Sequence, residues 1–520
     1  MKFLPSVISS RPEAAAALIV LLLVSTQLMW PPMIGLANNG DFGRMIKWGA
    51  LNYMEDGPDD IYFNWVNREF KFVANPATTR GLWLSSEVVF VKLAAVLGYW
   101  FASDQLFDLR TLGLLHILAF LLSFLILMKA LAATVADTPV DADTQVRPYA
   151  DLRSATTGSA GFSSLIFVPW FVLIFCDLNY TIYFHSFYTE PATLIFLLAT
   201  VGSGAYLLKF KRESIAMLIL FFVCGSMLIG VKTQNLIFAP AIAIFGLRLL
   251  KVNRDRRRQI VTLACVLVVV SLSLAEYALT PITLKNSSKY NAVFFGALIG
   301  ASDPRRDLKD LGVSEEFSAL VGTNFHQPGL PPYVKSSEFE EGYYRQVGFL
   351  KILFFYLKRP GRFLDKIQES LDRGFVPRPE YAGNFEKASG EKPGGQSRRW
   401  NFWGLFKKHY FPKSTWFFAV YLIATGGMIF MSWRRSADAD QKLVWEFYFS
   451  LWMTIPIALG VPMLGDGFSD LERHMFSFNV LMDLSLLLLL GHLTAFIFGR
   501  LTKQYRARQK GGAAKSAACF

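Results

Sequence analysis

Cysteine and histidine are scarce in this chain, with four and six among 520 residues. Cys176, Cys224 and Cys265 lie in or beside apolar runs and Cys519 is at the very end, so they read as core thiols and make no disulfide framework. Even the densest polar stretch, 465–474, offers one histidine and scattered acids, which falls short of a metal-ligand pattern. There is no phosphate-binding glycine loop, no nucleotide motif and no internal repeat, which argues against an ATP-driven or nucleotide-sugar enzyme.

Apolar sequence is what the chain has in excess: 53% of its residues are hydrophobic and 47 are phenylalanine. The runs 14–36, 111–134, 161–176, 190–208, 214–231, 236–250, 260–280, 413–432, 443–464 and 476–498 give about ten spans on the hydropathy criterion. The expected fold class is therefore an all-α polytopic membrane protein, with interfacial helices in the first and the large late extracytoplasmic loops. Lys2 and Arg11 precede the first run, and Gly35-Leu36-Ala37 could pass for a signal-peptidase site. The length of the run favours an uncleaved span, since cleavage would leave Asp41 almost at the new terminus.

Positive charge sets the orientation, because short loops rich in Lys and Arg stay in the cytoplasm. The clusters are Lys209, Lys211 and Arg212; Lys251, Arg254 and Arg256 to Arg258; Arg434, Arg435 and Lys442; and the tail from Arg500 to Lys515. They share one side if 88–102, short and interrupted by Lys92, lies in the interface and does not cross. The segments then assigned to the cytoplasm carry the whole formal net charge of +13, despite an acidic 137–153. Anionic inner-leaflet lipid accounts for that surplus, and no nucleic-acid partner is needed. The organisation becomes a membrane module at 1–280 with a first outer loop at 37–110, a large outer loop at 281–412, further spans at 413–498, and a basic cytoplasmic tail at 499–520.

Every polar constellation falls on the outer face. In Asn38-Asn39-Gly40-Asp41-Phe42-Gly43-Arg44 a carboxylate and a guanidinium stand three residues apart between glycines; Asp41 reads as a general base, the alternative being a helix cap. The acids Glu55 to Asp60 read as solvated turn residues. Glu190 opens the fourth span ahead of Pro191, a place the helix dipole alone also favours. Lys232-Thr233-Gln234-Asn235 interrupts apolar sequence, and a simple interspan turn needs no lysine. Asp466, Asp470, Glu472, Arg473 and His474 crowd one turn, with Asn479 and Asp483 in the span that follows. Arg473 and His474 have the donors to hold a phosphate, while a salt bridge between Glu472 and Arg473 is the structural alternative. In the large loop, two helices near 340–357 and 362–373 suit a membrane surface, 386–399 looks mobile, and Trp400, Trp403, Phe406, Lys407, Lys408, His409 and Tyr410 form an interfacial belt.

The pattern resembles the C-type glycosyltransferase superfamily, and its strings NNGDFGR, SFYTEP and GDGFSDLERH resemble the bacterial cell-envelope subgroup. The likeness lies in an acid just past the first span (Asp41), a helix at 85–102, an arginine opening the next span (Arg110) and a large late outer loop. It implies an inverting transfer of sugar from a polyprenyl-phosphate donor to an envelope glycan, lipid or protein at the outer face of the plasma membrane. Asp41 is then the base, with Glu190 or Asp466 as alternatives because Asp41 lacks the paired acid of many members. Arg44, Lys232, Gln234, Asn235, Asp466, Glu472, Arg473 and His474 would hold donor and sugar. No cofactor is required, although Asp41 and Asp466 could share a divalent metal. Two rivals are a lipid or glycan transporter without chemistry, and a ligase or polymerase with a pyrophosphate-linked donor that uses Arg345, Arg359 and Arg362.

Both termini are expected in the cytoplasm and residues 37–110 wholly outside. Single cysteines placed at Ser103 and Ser154 label from opposite sides in that arrangement, and labelling of Ser103 only from the cytoplasm would make 88–102 a true span.

Overall fold

The structure is a computed structural model that describes residues 12–54, 57–74, 85–136, 165–210 and 212–517. Glu55, Asp56, Ser154 and the acidic 137–153 segment lie outside the described residues. Helices of eight residues or more are numbered in chain order. Seven stretches among the described residues are long and apolar enough to cross a bilayer: Leu109–Leu131, Glu190–Lys209, Thr233–Val252, Arg256–Leu279, Thr415–Arg435, Ala439–Gly465 and Phe476–Phe498. They correspond to α3 (Leu109–Ala136), α5 (Glu190–Phe210), α7 (Phe238–Val252), α8 (Arg256–Leu279), α13 (Thr415–Arg435), α14 with α15 (Ala439–Trp452 and Thr454–Gly465) and α16 (Phe476–Ala517). Two expected spans, α1 (Pro12–Met29) and α6 (Ile215–Ile229), are shorter apolar helices. Of the run 161–176, the structure describes α4 (Val168–Phe175).

Side-chain caps start several of these helices where the sequence supplies Ser or Asp: Ser214 for α6, Asp255 for α8, Ser414 for α13 and Asp438 for α14. Helix α5 is the axis of the bundle, with 89% of its span buried. It packs against α3, α6 and α14, and a Cβ on its Gly202 would come within 2.8 Å of the Leu127 backbone nitrogen. That close approach of two backbones needs a glycine. Because α5 is central, its first residue, Glu190, lies inside the protein.

The expectation of an all-α chain is corrected by a three-stranded antiparallel sheet in the segment between α1 and α3, β1 (Leu51–Tyr53), β2 (Glu69–Phe72) and β3 (Leu106–Asp108). Leu51 pairs with Phe72, and Glu69 with Asp108. Strands of three or four residues are too short to show alternation in sequence. The sheet is held by packing, since Phe70 and Phe107 are fully buried and their ring centroids lie 5.0 and 6.1 Å from that of Phe187. The expected helix of this loop is α2 (Glu87–Phe101). Its start is hooked to the end of α6, where Ser85 and Ser86 hydroxyls donate to the carbonyls of Val231 (2.6 Å) and Met227 (2.7 Å).

In the large loop, Tyr290, Phe294, Leu308, Tyr343 and Phe355 form a core of their own. Around it and toward the bundle lie α9 (Ile282–Ala292), α10 (Phe349–Leu357), α11 (Pro360–Gly374) and α12 (Phe402–His409). Two expectations change here. Residues 386–399 are tied down: Asn384 N–H donates to Gly395 O, Gly394 N–H to Asn64 O, and Arg399 to the carbonyls of Gln27, Trp30, Pro31 and Pro32. The free carbonyls at the end of α1 supply acceptors that composition alone does not reveal. Of the expected aromatic belt, Trp400, Phe406 and Tyr410 are exposed, but Trp403 and Lys407 are buried against α16. There Asp483 accepts from Trp403 Nε1 (2.8 Å), Tyr180 OH (2.6 Å) and Lys407 Nζ (3.3 Å), and Lys407 also donates to Asn479 (2.6 Å).

Asp483 and Asn479 therefore bolt the loop to the last span. Lys407→Ala strands the buried Asp483 charge and should lower stability of the full chain by roughly 3–5 kcal/mol. Adding Asp483→Asn should recover part of that loss in detergent melts, because the uncompensated charge goes while an acceptor stays. Additive losses would contradict the pairing.

Candidate functional site

Asn38 shapes the first segment. Its side-chain oxygen accepts from the backbone N–H of Gly40 (2.7 Å) and Phe42 (3.1 Å), closing a turn around Asp41. The short helix Gly43–Ile46 has no side-chain cap. The capping alternative for Asp41 thus falls away, and its carboxylate points elsewhere: one oxygen to Arg44 Nη2 (3.1 Å), the other to Arg473 Nη1 (2.9 Å).

Arg473 arrives from the turn between α15 and α16. Gly467 (φ +60°) leads that turn past the large loop, where a Cβ would lie 2.5 Å from Asn291 O, and Phe468 N–H donates to Phe295 O. Asp470 adopts φ +45° and starts the short helix Leu471–His474, which turns Arg473 inward to 7% exposure. The guanidinium donates through Nη1 to Asp470 (2.7 Å) as well as Asp41, lies 3.5 Å through Nε from Glu190 Oε1, and stacks 3.9 Å from the Tyr188 ring centroid. Glu190 Oε1 also receives Lys232 Nζ at 3.1 Å. Glu190 Oε2 and Arg473 Nε are buried with no hydrogen-bond partner.

The electrostatics follow from these contacts. Burial by itself would raise the Asp41 carboxyl, but Arg44 and then Arg473 hold it down to about 2. Burial likewise opposes the Arg473 charge, and Asp470, Glu190 and Asp41 overcome it, so the guanidinium is held firmly protonated.

Beside this chain of charges stands a second one. His474 Nε2 is 2.9 Å from Asp466 Oδ2, and its Nδ1 is 3.4 Å from Gln234 Oε1; Gln234 Nε2 donates back to His474 O (2.7 Å). Asn291 donates to the other Asp466 oxygen at 3.0 Å. Asp41 and Asp466 therefore each direct both oxygens at donors. Among the described residues no group of three His, Cys, Asp or Glu side chains is placed to hold a metal.

Asp41, Arg44, Glu190, Lys232 and Arg473 thus form one contiguous network, with Gln234, Asp466 and His474 at its side. Two expected members stand apart. Asn235 is fully buried and committed, donating to Thr193 and Leu228 O and accepting from Ser477, so it pins α5, α6 and α16 together. The Glu472–Arg473 pair is replaced by Asp41 and Asp470, and burial with Asp470 and Glu380 nearby raises the Glu472 carboxyl. Sequence reasoning missed Asp470, Asn39, Tyr188 and Tyr381 as partners. Asn39 Nδ2 donates to Asp470 (3.2 Å), Tyr381 OH donates to the same carboxylate, and Tyr188 OH donates to Ala37 O (2.8 Å). Asp470 was visible in its ten-residue cluster; the two tyrosines carried no local signal.

Residues 2–515 match the family model described as the YfdI N-terminal transmembrane domain. The chain belongs to that family. It is an integral membrane protein, as the seven apolar helices also indicate. No curated protein matches it. Among solved structures it is similar to the Archaeoglobus fulgidus oligosaccharyltransferase in the apo form, at 12% identity and TM-score 0.41, over 96% of this chain and 52% of that one. The archaeal oligosaccharyltransferase AglB from Archaeoglobus fulgidus, in complex with an inhibitory peptide and a dolichol-phosphate, gives 11% and 0.42, over 97% and 52%. The Archaeoglobus fulgidus oligosaccharyltransferase tethered with an acceptor peptide containing the NVT sequon gives 12% and 0.43, over 96% and 51%. The chain spans about half the length of these proteins.

Arg473→Ala leaves Asp41, Asp470 and Glu190 facing one another without their shared cation, and should lower the melting midpoint at pH 7. The Asp41 carboxyl is depressed from 3.8 to about 2, so the stability it gains from its arginines is full above pH 3.8 and lost as pH falls toward 2. The deficit of the variant should accordingly shrink below about pH 4. A deficit unchanged between pH 7 and 3 would remove the ion pair from the explanation.

Proposed function

We propose that this protein is an inverting glycosyltransferase that moves a sugar from a polyprenyl-phosphate donor to a cell-envelope acceptor at the extracytoplasmic face of the plasma membrane. The observation that supports it is the convergence of Asp41, Glu190 and Asp470, with Lys232 on Glu190, from segments up to 432 residues apart, on the buried Arg473 guanidinium at one end of the helix bundle. In this reading the donor phosphate enters beside Arg473, Lys232 and His474. Those donors neutralise the charge that builds on the phosphate as it leaves, a term that usually dominates such catalysis.

Asp41 is the base. At about 2 its carboxyl is a poor proton acceptor, because two guanidiniums hold it. When Arg473 turns to the phosphate, Asp41 keeps Arg44 alone and its basicity rises, so donor binding itself prepares the base. Asp41 then takes the acceptor hydroxyl proton, the oxygen forms a bond to the anomeric carbon, and the carbon–oxygen bond to phosphate breaks with its electron pair on the phosphate. Gln234 and the open oxygen of Glu190 hold sugar hydroxyls. The alternative, a ligase or polymerase with a pyrophosphate-linked donor, would draw on Arg345, Arg359 and Arg362, of which Arg359 and Arg362 are paired with Asp307 and Asp310.

Asp41→Asn keeps the shape and removes the proton acceptor. Sugar transfer should fall about 10² to 10⁴-fold while protein level and binding of a polyprenyl-phosphate analogue stay near normal. Retained transfer would move the base to Glu190 or Asp466. Loss of analogue binding together with transfer would make Asp41 a binding residue.

A further inference from the structure

A cleft remote in sequence from the charge network opens in the large loop at the corner between α10 and α11. It measures about 640 Å³ and is lined by Lys309, Lys351, Lys358, Arg359, Asp310 and Phe354, among others. Arg359 is spoken for, paired with Asp307 and Asp310 and stacked on Phe355. Lys309, Lys351 and Lys358 have no carboxylate partner among the described residues, so the cleft carries a surplus of positive charge.

Three exposed apolar residues adjoin it. Leu350, Phe354 and Leu357, at 71%, 58% and 63% exposure, recur at helical spacing along the open side of α10, with Leu364 beyond them on α11. The depth of this stripe can be read from the packing. The Phe363 ring tip lies 3.3 Å from the Cβ position of Gly460, five residues before the end of α15 and so about 7 Å inside it. Gln368 exchanges hydrogen bonds with Lys413 O and Thr415 N–H at the start of α13, next to the exposed Trp416. The stripe therefore lies at the level where spans enter the interface, with lysines at its polar edge.

We propose that this cleft binds the phosphate headgroup of an anionic membrane phospholipid, with Lys309, Lys351 and Lys358 as donors and the acyl chains against Leu350, Phe354 and Leu357. The volume admits a glycerophosphate, and the apolar stripe continues from the cleft in the direction the chains must take. The inference is independent of the glycosyl-transfer reading.

The test uses the purified full chain and native mass spectrometry with phosphatidylglycerol, phosphatidylcholine and inorganic phosphate as probes. Phosphatidylglycerol should be retained in preference to phosphatidylcholine, and Lys309→Gln/Lys351→Gln/Lys358→Gln should weaken its retention by roughly a hundredfold, about fivefold per lysine. Phe354→Ser should lower retention with the lysines intact. Equal retention of the two lipids, an unchanged triple variant, or displacement by millimolar inorganic phosphate would each overturn the proposal, the last by making it a site for free phosphate. A triple variant that fails to fold leaves the lipid preference of the native chain and the Phe354→Ser result to decide.

Discussion

A guanidinium withdrawn from water must be paired, and Arg473 is paired three times over. Its carboxylate partners come from the segment between α1 and α3, the start of the central helix and its own turn, so the network forms only when all three are in place. The desolvation cost of one buried arginine thereby fixes the relative position of segments that share no local contacts. Lys232 and Arg44 complete the balance, three cations against three carboxylates. The stacking of Arg473 on Tyr188 sets the plane in which it can donate.

The rest of the molecule holds those segments to that geometry. Helix α5, buried along nearly its whole length, fixes Glu190, and the hook between α2 and the end of α6 lies directly before Lys232. From the other side, Asp483 with Lys407 and Trp403 fastens the large loop to α16, while Arg399 fastens it to the end of α1. Each tie satisfies polar groups that a bilayer cannot solvate. Polar atoms that look functional in sequence, such as Asp483 and Asn235, are used up in this way.

That distinction marks how much could be read from the chain. Apolar runs, basic loops and the clusters at 38–44, 232–235 and 465–474 were legible because each signal is local. The three short strands were not, since three-residue elements leave no periodicity. Residues 386–399 looked mobile by composition because the acceptors that hold Arg399 belong to a helix end far away in sequence. Asp41 stood out beside Arg44, yet its second arginine, 432 residues on, is set by tertiary structure alone, as is Tyr381 on Asp470.

The network is also built so that its shared cation can be given up. Without Arg473, Asp41 still has Arg44, Asp470 has Asn39 and Tyr381, and Glu190 has Lys232. In the proposed reaction an entering phosphate can therefore take Arg473 without leaving any of the three carboxylates unpartnered, and so avoids the larger penalty of an orphaned buried charge. Arg473 keeps a buried Nε without a hydrogen-bond acceptor, and that unmade bond favours a ligand oxygen. In the proposed reaction the same exchange that binds the donor loosens Asp41, so recognition and activation of the base draw on a single movement of one side chain.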